Sequence, residues 1–188
     1  MKLFQKFQRL KLKTSQLDIF KIFFRYLIIF VSGLSELYIY YLIFTPLTVY
    51  LVYFFLKIFA GIFNFNVLLV NNVFFLKNYS IEIIKACVGG SAYFLLFALN
   101  LSIPFEFKKR LKALGFSFSV LLLFNVFRIL ILIAVLFLGM SFFNEIHRIF
   151  WYFLNILAVA LIWLAEIKIF KIKEIPVYSD LKLLYKKL

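Results

Sequence analysis

Long apolar runs constrain this chain more than any other feature of its sequence. The 188 residues are 65% hydrophobic and 22% aromatic, with only three prolines, and the mean hydropathy is +1.02. A membrane-spanning helix needs roughly 20 apolar residues to cross a hydrocarbon core of about 30 Å. Runs of this length exclude an ordinary soluble domain, and they predict an all-α, polytopic helical membrane bundle.

The apolar runs divide the chain into a transmembrane domain and two basic flanks. Five segments are distinguishable, at residues 22–44, 47–63, 86–103, 115–138 and 149–170. We therefore expect a domain of about five spans over residues 22–170 and a basic cytoplasmic tail with a short helix over residues 171–188. Residues 1–21 are basic, with apolar residues at helical spacing, which predicts an amphipathic surface helix. No small-residue cleavage site follows the first apolar run, so we do not expect a cleavable signal peptide.

The connector at residues 64–85 differs from the spans around it. Its apolar runs are short, rich in β-branched and aromatic residues, and interrupted by asparagines. This pattern is typical of short strands. It predicts a small irregular or β-like cap over the helices.

The net charge of +14 is concentrated in the flanks of the apolar runs. Such flanking charges are typical of topology signals and of contacts with anionic lipids. They predict a multi-pass protein of the cell membrane with membrane lipids as partners, and they argue against nucleic acid.

The positive-inside rule orients the second half of the chain. A basic loop at residues 108–112 and the basic tail are expected in the cytoplasm, so connectors 64–85 and 139–148 face outward. The membrane orientation of the first half of the chain stays open. An inside N-terminus requires an odd number of crossings before residue 64, whereas segment length favours two.

Cys87 is the only cysteine, so it cannot form an intramolecular disulfide. It lies where the outward connector enters a span. Backbone N–H groups and the helix dipole at such a position stabilise a thiolate. The neighbouring Gly89 and Gly90 would let the same N–H groups approach an oxyanion. The alternative is an inert packing residue or a lipidation site.

Arg128 lies deep within an apolar span, where an ionised side chain costs several kcal/mol. Counted from Gly115 at the inner face, it is about 20 Å along the helix. About 10 Å of hydrocarbon remains above it, a distance that snorkelling can largely cover. Asn125 lies one turn earlier on the same face and is expected to help hold it. The alternative is a structural ion pair with Glu36 or Glu82.

His147 is the only histidine and lies where the last span begins on the outer side. A neutral imidazole at this depth can act as general base for a thiol. Arg148 is a rival for the same position, and an ordinary interfacial residue is the alternative. One histidine and one cysteine offer too few ligands for zinc. We therefore predict no metal and no cofactor.

Together, Cys87, Arg128 and His147 are predicted at one depth on the outer side, from three separate segments. They are a nucleophile, a cation and a base. The thiolate would attack a carbonyl, the arginine would stabilise the thiolate or the oxyanion, and the histidine would move the proton. The resulting thioester could pass to water or to another nucleophile.

At these residues the chain resembles the exosortase/archaeosortase family of membrane cysteine transpeptidases, over roughly residues 22–170. The matching motifs are short and come in the same order. They are Ala86-Cys87-Val88-Gly89-Gly90, then Asn125-Val126-Phe127-Arg128, then His147 followed by Arg148. The resemblance implies catalytic Cys87, Arg128 and His147, with Asn125, Gly89, Gly90 and Arg148 in support.

The resemblance also implies a substrate and a reaction. The substrates would be surface proteins whose C-terminal sorting signal has a short motif, a hydrophobic helix and a basic end. Cleavage near the motif would be followed by transfer to a lipid anchor, at an active site that faces outside. Two other functions stay open: a non-enzymatic assembly or transport subunit, and a simple intramembrane thiol hydrolase.

Overall fold

The structure is a computed structural model that describes residues 19–34, 38–77, 79–139 and 143–187. It is mostly helical and has one small sheet. The elements are α1 (residues 19–34), α2 (Tyr38–Phe63), β1 (Val67–Val70), β2 (Val73–Leu76), β3 (Tyr79–Glu82), α3 (Lys85–Val88), α4 (Gly90–Leu101), α5 (Phe107–Phe137), α6 (Phe143–Ile149), a π-helical segment (Phe150–Leu154), α7 (Asn155–Ile169) and α8 (Tyr178–Lys187). The predicted surface helix falls almost entirely on residues 1–18, outside the described residues.

Three helical stretches are long and apolar enough to cross a membrane. They are α2, α5 and the stretch Glu145–Ile169, which combines most of α6 with the π-helical segment and α7. The 12 residues of α4 are also apolar, but they rise only about 18 Å, which is less than a 30 Å hydrocarbon core. Within the described residues, three of the expected five spans therefore have the necessary length.

The predicted boundary between the first two apolar segments is wrong. Pro46 was expected to separate them, but α2 continues through it from Tyr38 to Phe63. Proline removes one helical hydrogen bond and crowds the preceding turn. In apolar surroundings, ending the helix would leave several backbone groups unpaired at several kcal/mol each. Keeping the helix therefore costs less than breaking it.

The basic cluster at residues 108–112 is helical, not a loop as expected. α5 begins at Phe107 rather than at Gly115, so the cluster occupies its first turns. Lysine and arginine are good helix formers. Pro104 still separates α4 from α5, as its lack of a backbone N–H predicts.

Residues 67–82 form a three-stranded antiparallel sheet in the order β1-β2-β3, which confirms the β-like character predicted for this connector. Val67 pairs with Leu76 across the first two strands. The side chains of Phe74 and Leu76 are fully buried, and the Phe74 ring lies 6.5 Å from that of Tyr53. The sheet therefore packs on α2.

One end of the bundle is held together by arginines, and we call it the basic end. Arg25 of α1 donates from Nη1 to the backbone oxygen of Ile103 (2.6 Å) and pairs with Asp180 of α8 (2.6 Å). Arg110 of α5 donates to the same Ile103 oxygen (2.8 Å). The start of α5 and the connection after α4 therefore meet α1 and α8 here.

The opposite end carries the sheet, and we call it the sheet end. Phe65, just after α2, packs against Phe137 in the last turn of α5, with ring centroids 5.6 Å apart. Tyr79 of β3 packs on the same phenylalanine at 5.6 Å. Arg25 lies at the basic end and Phe65 at the sheet end. The chain therefore makes one net passage between the two ends over this stretch.

The short helix predicted in the tail is present as α8. Asp180 on its inner face is 2% exposed, whereas Leu181 and Tyr185 are 59% and 88% exposed. α8 therefore turns the acidic side chain of Asp180 into the protein and exposes Leu181 and Tyr185.

Candidate functional site

Cys87, Arg128 and His147 line the same partly open cavity. They come from three different helices, α3, α5 and α6. The cavity holds about 10 Å³, close to the minimum that accommodates one water molecule. The rest of its wall is apolar and consists of Ala86, Leu132 and Phe150. The structure therefore brings the three predicted catalytic side chains to one place.

Arg128 is held by two neutral acceptors. Its Nη2 donates to the backbone oxygen of Cys87 (2.7 Å), and its Nη1 donates to Oδ1 of Asn155 (2.7 Å). The residue is only 6% exposed, so its guanidinium is enclosed by protein, and snorkelling toward the membrane surface stays a prediction. Of the two acidic partners considered, Glu82 is exposed on β3 and Glu36 lies outside the described residues.

Asn125 hydrogen-bonds to the same turn of backbone that Arg128 contacts. Its Nδ2 donates to the backbone oxygen of Val88 (2.8 Å). This residue follows Cys87, whose backbone oxygen accepts a hydrogen bond from Arg128. The last carbonyls of a helix have no partner within the helix, and α3 ends here. Two side chains one turn apart on α5 therefore fix the short helix that carries the thiol. Asn125 was expected to hold Arg128 itself.

Gly89 and Gly90 shape the connection between α3 and α4. Gly89 has a φ of +73°, a left-handed conformation that glycine adopts at little cost. A Cβ on Gly90 would lie 2.6 Å from Cζ of Tyr41. The two glycines thus allow a sharp turn and a close ring contact, and Cys87 lies in the turn before α4 rather than at its first residue.

The π-helical segment brings His147 and Asn155 onto one face. In a regular helix, residues eight apart differ by about 80° around the axis at 100° per residue. A π turn accommodates one residue more than an α turn, which reduces the difference to about 20°. His147 therefore lines the cavity. Asn155 lies on the same face of the helix and hydrogen-bonds to Arg128. Arg148, the rival candidate, is exposed.

Asn155 is the functional candidate that sequence reasoning missed. It is an amide in a predominantly apolar span, and polar side chains within membrane helices commonly hydrogen-bond across helices. That signal was available in the sequence. Its pairing with Arg128 was not, because it depends on the π turn.

The site contains no evident place for a metal. Within the ranges that the structure describes, no group of three or more His, Cys, Asp or Glu side chains could hold a metal ion.

Comparisons with protein-family models, curated proteins and solved structures gave no match to this chain. The functional argument therefore depends on the residues and their geometry.

Proposed function

We propose that this chain is a membrane cysteine transpeptidase, similar to the exosortases and archaeosortases. It would cleave C-terminal sorting signals of surface proteins and transfer the proteins to a lipid anchor. The observation that supports this proposal is the shared cavity of Cys87, Arg128 and His147. A thiol, a guanidinium and an imidazole at one partly open cavity are the groups that thiol acyl transfer needs.

Each side chain has a defined part in the proposed reaction. His147 takes the thiol proton as Cys87 Sγ attacks the scissile carbonyl carbon. The tetrahedral intermediate collapses as the C–N bond breaks, and the leaving amine receives that proton from His147. A thioester on Cys87 remains. An acceptor hydroxyl or amine then attacks the thioester carbonyl carbon and gives its proton to His147. The C–S bond breaks, and His147 passes this proton to the departing Cys87 sulfur.

Arg128 has a positioning part in this scheme. Its two terminal nitrogens are hydrogen-bonded to the Cys87 backbone oxygen and to Asn155, so the guanidinium holds the turn that presents the thiol. Its positive charge also lies at the cavity wall. In surroundings of low dielectric, a nearby cation stabilises a developing oxyanion.

We place the basic end in the cytoplasm, because Arg25, Arg110 and the basic residues of α8 belong to it. The sheet and the cavity would then lie toward the outer surface, where surface proteins are processed. The single net passage between Arg25 and Phe65 fits this orientation, since it supplies the odd number of crossings that an inside N-terminus requires.

The test is co-expression with a candidate sorting-signal protein, comparing the wild type with Cys87→Ala, Arg128→Ala and His147→Ala. We expect no processing by Cys87→Ala and a slowing of about 100- to 10,000-fold for His147→Ala, the usual contribution of a general base. The matched control is Arg148→Ala, the exposed neighbour, which should process normally. All variants must accumulate in the membrane.

Mass spectrometry of the new C-terminus then separates the remaining functions. A product joined to a lipid supports the transpeptidase, whereas a free carboxylate indicates a thiol hydrolase. Processing that survives Cys87→Ala would overturn the thiol mechanism and favour the assembly or transport subunit.

A further inference from the structure

A large apolar groove lies between the second half of α2 and the outer half of α5. Its volume is about 940 Å³, near the upper end of the range for small-molecule sites. Phenylalanines from both helices line it, among them Phe59, Phe63, Phe127 and Phe137. We call it the α2–α5 groove. It is separate from the thiol cavity, since Phe127 and Arg128 are neighbours on α5 that face different sides.

The groove has one charged residue in its lining, Lys77. This lysine occupies the turn between β2 and β3, with a φ of +48°. Its Nζ lies 5.9 Å from the centroid of the Phe65 ring, and Phe65 also lines the groove. A cation–π contact of this kind holds an ammonium group in place. The groove is therefore apolar along its length and positively charged at the sheet end.

The groove is long enough to hold the hydrocarbon of one leaflet of a bilayer. Along α5 it extends from Leu123 to Leu138, a rise of about 22 Å at 1.5 Å per residue. One leaflet contributes about 15 Å of hydrocarbon, half of a 30 Å core. An acyl chain in the leaflet nearest the sheet can therefore lie along the groove with its headgroup at the level of Lys77.

We propose that the α2–α5 groove binds an anionic phospholipid, with an acyl chain along the phenylalanines and the phosphate at Lys77. Charge complementarity favours this occupant over the hydrophobic helix of a protein, which would bring no fixed negative charge to the level of Lys77. The proposal goes beyond the thiol chemistry and does not depend on it.

The test is native mass spectrometry of the full-length chain, purified with phosphatidylglycerol or with phosphatidylcholine of the same acyl chains. Lys77 is expected to give about a fivefold preference for the anionic lipid, the effect of one basic residue near a membrane surface. Lys77→Gln should abolish that preference. The matched control is Lys57→Gln, because Lys57 lies on α2 over the Tyr53 ring (5.0 Å) and is not part of the groove lining.

A second pair of variants tests the apolar part of the groove. Ala134 is an exposed residue of the lining on α5, so Ala134→Trp should block the groove and remove retention of either lipid. Ala160→Trp, at an exposed position on α7, is the matched control and should retain lipid. Equal retention by both tryptophan variants, or equal loss of preference in both glutamine variants, would overturn the proposal.

Photo-crosslinking tests the groove in the wild-type chain, so its result does not depend on the folding of a variant. A phosphatidylglycerol with a diazirine on its acyl chain should label α2 and α5 at groove residues, among them Phe63 and Phe127. Labelling spread evenly over the apolar surface would contradict a specific site. Displacement of the lipid by a co-expressed sorting-signal helix would assign the groove to that helix instead.

Discussion

Arg128 and Glu166 are ionisable residues buried between the helices of the bundle, and they are held in comparable ways. Arg128 on α5 is 6% exposed and Glu166 on α7 is 0% exposed. Each is hydrogen-bonded to an asparagine of a neighbouring helix: Arg128 Nη1 donates to Asn155 Oδ1 (2.7 Å), and Asn100 Nδ2 donates to the Glu166 carboxylate (3.0 and 3.1 Å). Burial and an amide partner therefore do not distinguish them.

The difference lies in what else each side chain reaches. Arg128 also holds a backbone carbonyl and lines a cavity with a thiol and an imidazole. Glu166 is fully enclosed by the bundle and has Asn100 as its hydrogen-bond donor. Ionisable residues in membrane helices are functional candidates by default. Here access to a cavity that also holds a thiol favours Arg128 as the functional candidate, while Glu166 joins α7 to α4 through Asn100.

The largest effect is expected from Arg128→Ala, which leaves the partly buried Cys87 carbonyl and Asn155 amide oxygen without their donor. At about 1–3 kcal/mol for each unpaired group, the loss of stability should be roughly 2–6 kcal/mol, with processing abolished. Thermal unfolding of the purified protein and the co-expression assay measure the two effects.

Arg128→Lys is the matched variant, because it keeps the charge and loses the fork that reaches two acceptors at once. It should lie between the wild type and Arg128→Ala in both assays. An Arg128→Ala protein with wild-type stability would contradict the positioning part given to this arginine.

The next effect concerns Asn155, which acts on the reaction through Arg128. Asn155→Ala leaves one buried guanidinium nitrogen unpaired, at a cost of about 1.5–3 kcal/mol for a hydrogen bond to a charged group. Asn155→Asp keeps the acceptor oxygen and should restore processing. A merely structural role would not require an acceptor, so rescue by Asn155→Leu but not by Asn155→Asp would contradict this account.

Much of the site was predictable from the sequence. Cys87 and His147 occur where connectors meet apolar segments, and the distance of Arg128 along its span follows from helical rise. The partner of Arg128 was not predictable. It depends on a single π turn that rotates Asn155 relative to His147, and no propensity rule places such a turn.

The predicted boundaries of α2 and α5 were also wrong, and the reasons are physical. The continuity of α2 through Pro46 arises from apolar surroundings that favour an unbroken helix. The early start of α5 arises from the helix propensity of the lysines and arginine in its first turns. The short sheet was predictable in kind because its runs alternate with asparagines. Its packing on Tyr53 of α2 was not, because that contact is tertiary.

A smaller effect is expected at the turn that presents the thiol. Gly90→Ala places a Cβ 2.6 Å from Cζ of Tyr41, and overpacking of this kind costs about 1–3 kcal/mol. The control is Gly115→Ala on α5, where a Cβ meets nothing within 4 Å and the gain in helix propensity should stabilise the protein slightly. Thermal unfolding compares the two.

Tyr41→Leu separates a local clash from a general loss of packing. If the ring is the obstacle, Gly90→Ala should cost less in the Tyr41→Leu background than in the wild type. A double-mutant cycle without coupling would show that the two residues do not compete for this space.

The smallest effect is expected at Glu166, and it tests the comparison itself. Glu166→Gln keeps an acceptor oxygen and the side-chain shape, so Asn100 Nδ2 retains a partner, and the stability should change by less than about 1 kcal/mol, within the net value of one hydrogen bond. Glu166→Ala removes the acceptor and should cost about 1–3 kcal/mol without selective loss of processing. Processing lost in Glu166→Gln at unchanged thermal stability would mean that the enclosed carboxylate takes part in function. In that case access to a cavity would no longer separate the two buried residues, and the distinction drawn between them would fail.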